Sequence, residues 1–189
     1  ISTSPANGAA DVSINSSITA TFSEEMDAST ITTDTFTVSD GSGNISGTVS
    51  YKDKVATFKP SNPLSSSITY KAKITTGVRD VAGNALAADY TWGFTPDTTP
   101  PAVVSTSPAN GEANVSVNSS ITATFSEKTD ASTITTSTFT LSDGFSNVIG
   151  TISSSSTTVI FKPSGNLSYS TAYTAKITPG VMDIAGNAL

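Results

Sequence analysis

The sequence predicts an all-β chain folded as two β-sandwiches in tandem. Three observations carry this. "STSPANG" at residues 2–8 returns at 105–111, and the shift of 103 residues holds without a gap to the last residue. Roughly two thirds of residues 2–86 are identical to their partners, and a repeat of this length suits a whole small β-domain rather than a solenoid unit. Apolar residues alternate with polar ones at a period of two, and no window sustains a 3.6-residue period.

Each element follows from that alternation. In "SITATF" (17–22) Ile18, Ala20 and Phe22 face one way and Thr19 and Thr21 the other. "FTV", "ISGTVS" and "VATF" supply further short strands, and "ITYKAKI" (68–74) aligns Ile68, Tyr70, Ala72 and Ile74. "YTWGF" (90–94) puts Tyr90, Trp92 and Phe94 on one face, read as the inward face of the last strand. Turn signals separate these runs: "SPANG", "DGSGN", "KDK" and "SNP". One helical turn is expected at "DASTI" (27–31) and in its repeat at 130–134.

About seven strands per roughly 100 residues indicate a seven-stranded Ig-like sandwich. Leu64 stands six residues before Tyr70, which suits a tyrosine corner, the phenol hydroxyl bonding back to main chain. The antibody cysteine two residues later is replaced by Ala72, and by Ala175 in the copy; a Trp on the third strand is also missing. The division is residues 1–96, a Pro-rich linker 97–101 ("DTTPP"), and 102–189. Adjacent prolines make that linker extended and stiff.

With these residues in view, the pattern "SPANG…ITATFSE.MD.STI…FKPS..L…Y.AKIT.GV.D.AGNAL" resembles the bacterial Ig-like domains of S-layer proteins and large surface adhesins. The resemblance covers each repeat almost end to end. It implies a spacer or display module of a bacterial surface or secreted protein, outside the cell. Similar modules also precede ice-binding and carbohydrate-active domains, so the resemblance fixes no single ligand.

Composition bounds the chemistry. A net charge of −6 and nine unclustered Lys and Arg argue against nucleic acid, whose phosphates need a basic patch. No stretch approaches the roughly 18 to 20 apolar residues of a membrane helix. Histidine and cysteine are absent, which removes the commonest general base and thiolate chemistry. The remaining enzyme reading is a carboxylate pair such as Glu24 and Asp27, with no cleft to serve it. The chain reads as a non-enzyme.

The repeated "VRDVAGNAL" (78–86) and "VMDIAGNAL" (181–189) reads first as an Asx-turn, Asp80 bonding downstream amides while Gly83 and Asn84 accept positive φ. The alternative is an oxygen ligand for Ca²⁺. With strands running up and down, "SEEMD" (23–27), "KDK" (52–54) and "RDVAGN" (79–84) return to the N-terminal pole. In the second repeat that pole carries Glu127, Asp130 and Asp183 and faces the linker's Asp97. Four carboxylates converging there would repel one another, so a Ca²⁺ site is one reading and a solvated acidic rim the other.

Weaker candidates complete the sequence's inventory. The Tyr90, Trp92, Phe94 stripe reads as core before sugar platform. "TITTDTFT" presents threonines that suit a strand face and, much less, an ice-binding array. Phe145 replaces Ser42 at a turn tip and reads as an exposed anchor or a folded-back side chain. A segment binding glycan or surface protein through its loops is therefore the rival to the spacer. Finally, the second repeat reaches Leu189 before any counterpart of "YTWGF". The reading expects an unseen continuation there, with a strand donated by a neighbouring chain as the alternative.

Overall fold

Strands form where the alternation is strict, as a computed structural model of residues 1–189 describes. The first compact unit, Ile1–Thr98, carries β1 (Ser2–Ser4), β2 (Ala9–Ser13), β3 (Ile18–Thr21), β4 (Phe36–Ser39), β5 (Gly47–Lys52), β6 (Val55–Pro60), β7 (Tyr70–Ile74) and β8 (Tyr90–Asp97). They make two four-stranded sheets, in the orders β1-β3-β6-β5 and β2-β8-β7-β4. The seven expected strands are present, and the first is divided in two. Its break is "SPANG", where Pro5 offers no N–H to a ladder and Gly8 adopts φ +80°. β1 joins one sheet and β2 crosses to the other, running parallel to β8 with Val12 opposite Pro96. One segment thus occupies an edge of both sheets.

The core lies between them. Ile18, Ala20, Phe36, Val38, Ala72 and Ile74 are fully buried. Trp92 packs its ring 5.8 Å from Phe36, and Phe94 stacks on Tyr70 at 5.8 Å. The aromatic stripe of β8 is therefore core at Trp92 and Phe94, with Tyr90 half-buried at its rim. Gly47 is required by contact: a Cβ there would stand 2.4 Å from the Phe58 ring.

The tyrosine corner is present in both units. Ser65 N–H donates to the Tyr70 hydroxyl at 2.9 Å, and Ser168 N–H to the Tyr173 hydroxyl at 2.9 Å. That corner shortens the strand before it. Ile68, expected inside β7, lies outside it and is exposed. A 3₁₀ turn covers Ala28–Thr30 with Asp27 as its cap, and another Ala131–Thr133 with Asp130. The "TITTDTFT" run is mostly not strand: the Thr35 hydroxyl folds back to donate to the Thr30 carbonyl at 2.6 Å, and only Phe36 and Thr37 enter β4. No flat threonine array forms from it.

The second unit, Thr99–Leu189, repeats this plan with β9 (Val103–Ser107), β10 (Ile121–Phe125), β11 (Phe139–Ser142), β12 (Gly150–Ser155), β13 (Thr158–Pro163) and β14 (Thr174–Ile177). One sheet has four strands in the order β12-β13-β10-β9; the other holds β11 and β14 alone. Registers match between units: Phe139 faces Ile177 as Phe36 faces Ile74. In the first unit β8 also covers the far side of β7, with Ala72 opposite Trp92. Ala72 is fully buried, whereas its counterpart Ala175 is exposed.

Candidate metal centre

The three loops expected at the N-terminal pole do meet there. In the first unit Phe22 N–H donates to the Lys54 carbonyl at 2.9 Å, and Asp27 N–H to the Arg79 carbonyl at 2.8 Å. Tyr51 adds a bond no alternation pattern announces: its hydroxyl accepts from Met26 N–H at 2.8 Å and donates to Glu25 Oε2 at 3.0 Å. In the second unit Phe125 N–H donates to the Thr157 carbonyl and Asp130 N–H to the Met182 carbonyl, both at 2.8 Å. Tyr51 has no equivalent there, since residue 154 is Ser.

The "D.AGN" loop is an Asx-turn closed by its own asparagine. Asp80 Oδ1 accepts from Ala82 N–H and Asn84 N–H, both at 2.8 Å, and Oδ2 accepts from Asn84 Nδ2 at 2.7 Å. Gly83, at φ +91°, is the residue that takes the left-handed conformation; Asn84 does not. The copy is built alike. Asp183 Oδ1 accepts from Asn187 N–H at 2.7 Å and Oδ2 from Asn187 Nδ2 at 2.8 Å, with Asp183 only 2% exposed.

The predicted carboxylates then divide. Glu127 and Asp183 bring carboxylate oxygens within 4.8 Å of one another. Asp130 does not join them, because its Oδ1 caps the 3₁₀ turn, accepting from Ser132 N–H at 2.9 Å and Ser132 Oγ–H at 2.8 Å. Asp97 ends β8 of the first unit, two residues ahead of the second. The chain enters the second unit beside the Asp183 loop, since Asn187 Nδ2 donates to the Thr99 carbonyl at 3.4 Å. One member of the carboxylate pair weighed for catalysis is also committed elsewhere: Asp27 Oδ1 accepts from Ser29 N–H and Ser29 Oγ–H at 2.9 and 2.7 Å.

These bonds set acid stability. The Asn84 side chain, then its backbone N–H, hold the Asp80 carboxyl below its ordinary value of 3.8. Ser29 and Ser132 hydroxyls do the same for Asp27 and Asp130. A carboxyl whose folded pKa is depressed contributes stability that is complete above its unfolded pKa and lost as pH falls through the folded one. Urea midpoints should therefore be alike at pH 6 and pH 5, and fall progressively once pH passes below about 4. A midpoint that rises on acidification would contradict this assignment.

Phe145 is 99% exposed, and sequence reasoning missed two further exposed residues. Ile149 and Tyr169 are 81% and 83% exposed. The signal was available, because the repeat has serine at both counterparts, Ser46 and Ser66.

Comparison with known proteins bears on the whole chain. Residues 1–96 and 97–189 each match the family model described as "Bacterial Ig-like domain". No curated protein sequence matches the chain. Among solved structures, the N-terminal part of the bacterial S-layer protein SbsC is similar at 13% identity with a TM-score of 0.42, over 93% of this chain and 43% of that one. A longer S-layer protein SbsC structure gives 16% identity and a TM-score of 0.40, over 100% of this chain and 33% of that one. A structure of SbsC domains 1–6 gives 17% and 0.40, over 96% and 33%. The chain thus spans less than half the length of each.

Proposed function

We propose, for a chain that belongs to the bacterial Ig-like domain family in both of its halves, a non-enzymatic structural module of a larger bacterial surface or secreted protein. The observation that carries this is that the two family matches together take in all 189 residues, with the Pro-rich segment 97–101 at the start of the second. Its place is outside the cell, and its role is that of a spacer. Pro100 and Pro101 restrict the linker to extended backbone. Small-angle scattering should accordingly give an elongated distance distribution, and a compact one would overturn the spacer role.

Ca²⁺ would rigidify the junction. Glu127 and Asp183 supply paired carboxylate oxygens, the hard ligands Ca²⁺ prefers. Asp97, the acidic residue of the linker, would be the third carboxylate of this proposal. Asp130 lies on the same pole and would act through its cap on the 3₁₀ turn Ala131–Thr133. Binding to the folded state alone stabilises it by mass action, by about 2.7 kcal/mol at a free Ca²⁺ concentration of 100 times the dissociation constant, and so raises its melting temperature. Calorimetry should show the second unit melting higher in millimolar Ca²⁺ than in EDTA, with Asp97→Ala removing the difference. Equal melting in both would leave a solvated acidic rim.

A second reading, a segment of an adhesin that binds glycan or protein through its loops, is favoured by one observation: the fully exposed Phe145 ring on a tightly bonded turn.

A further inference from the structure

Phe145, Ile149 and Tyr169 share one end of the second unit, opposite the acidic pole. β11 finishes at Ser142 and its register partner Thr174 begins β14, so loops 143–149 and 164–173 leave the sandwich at the same end. They are tied together there, since Ser164 N–H donates to the Ile149 carbonyl at 2.9 Å; Leu167 N–H ties the second loop to the segment before β10 through the Val117 carbonyl at 2.7 Å.

The first unit shows that the fold does not need these side chains. Their counterparts are Ser42, Ser46 and Ser66. The turn beneath Phe145 closes identically on serine: Asp143 Oδ1 accepts from Phe145 N–H at 2.9 Å and Ser146 N–H at 2.8 Å, as Asp40 Oδ1 accepts from Ser42 N–H at 2.9 Å and Gly43 N–H at 3.2 Å. Three serines have thus been exchanged for large apolar residues that bury almost nothing. Exposed apolar groups brought to one end of a unit suit an interaction site.

The chemistry around them selects the ligand. Loops 143–149 and 164–173 carry a single charged residue, Asp143, and its Oδ1 is engaged by the turn. The remaining polar groups are uncharged amides and hydroxyls, including Asn147, Asn166 and Ser168. Anionic polymers would require basic residues that these loops lack. Aromatic rings set among neutral amides and hydroxyls match a sugar, whose C–H faces stack on rings while its hydroxyls exchange hydrogen bonds with the amides. The Phe145 turn is already ordered, so binding there immobilises little chain.

We propose that this end of the second unit binds a neutral glycan, with Phe145 and Tyr169 as the stacking residues and Ile149 between them in the chain. This rests on the loop-binding reading and is independent of the spacer role. The test is retention of the 189-residue chain on four insoluble polysaccharides, namely cellulose, chitin, starch and yeast mannan, with collagen-coated beads run alongside. Retention is expected on at least one polysaccharide, weakened at least tenfold by Phe145→Ser and by Tyr169→Ser. Both variants restore the first unit's own residue, so folding is preserved, and circular dichroism melting verifies it. Polysaccharide retention unchanged in both variants would overturn this site while leaving the loop-binding reading standing. Retention on collagen alone, lost with Phe145→Ser, would overturn the glycan and leave a protein ligand. Retention on none of the five surfaces overturns the inference and withdraws support from the loop-binding reading.

Discussion

Trp92→Ala should lower the stability of the first unit by about 3–5 kcal/mol, the range for truncating a large buried aromatic. The indole is 2% exposed and touches Phe36 and Tyr90, each at a ring-centroid distance of 5.8 Å. It sits opposite Ala72, whose small side chain leaves room for it. Such a loss is a large share of the roughly 5–15 kcal/mol that holds a domain folded. Trp92→Phe should cost much less, because the buried indole N–H has no hydrogen-bond partner and its removal relieves an unpaired donor. The second unit should be unaffected, since it has a core of its own around Phe139 and Phe161. Calorimetry resolving two transitions would check this. An unchanged first transition in Trp92→Ala would mean that β8 is not the strand that completes the core.

Asp183→Ala should have the largest effect of any polar substitution in the second unit. It leaves Asn187 N–H and Nδ2 without the acceptors they reach at 2.7 and 2.8 Å. Donors stripped of a buried partner cost about 1–3 kcal/mol each, and because Asn187 is half-buried and its Nδ2 keeps the Thr99 carbonyl, a loss of about 2–4 kcal/mol is expected. Asp183→Asn should fall between. It retains an oxygen for Asn187 N–H but sets an NH₂ against Asn187 Nδ2, while removing a negative charge held close to Glu127. In EDTA, that relief of repulsion should bring Asp183→Asn nearer to the parent than it is in Ca²⁺. Identical ranking in both media would argue against a cation at this pole. Urea unfolding of each variant, with and without EDTA, supplies the comparison.

The sequence by itself determined the class, the repeat and most strand positions. These depend on local chemistry. Alternation placed Ile18, Ala20 and Phe22 inward; "DASTI" announced the short helical turns within 27–31 and 130–134; Leu64 and Tyr70 announced the tyrosine corner. The Asx-turn of Asp80 was legible for the same reason, its partners lying within four residues.

Only tertiary structure decided what depends on distant residues. Ile68 continues the alternation of β7 perfectly, yet the bond from Ser65 to the Tyr70 hydroxyl takes the chain out of the ladder before it. The division of the first strand needed the second sheet, whose β8 offers β2 a parallel edge. Among the acids, spacing treated Asp130 and Asp183 as equals. The fold separates them: Asp130 turns to Ser132, while Asp183 is buried against Asn187 and within reach of Glu127, 56 residues away in sequence. Charge repulsion and burial act through space, and a one-dimensional pattern records neither.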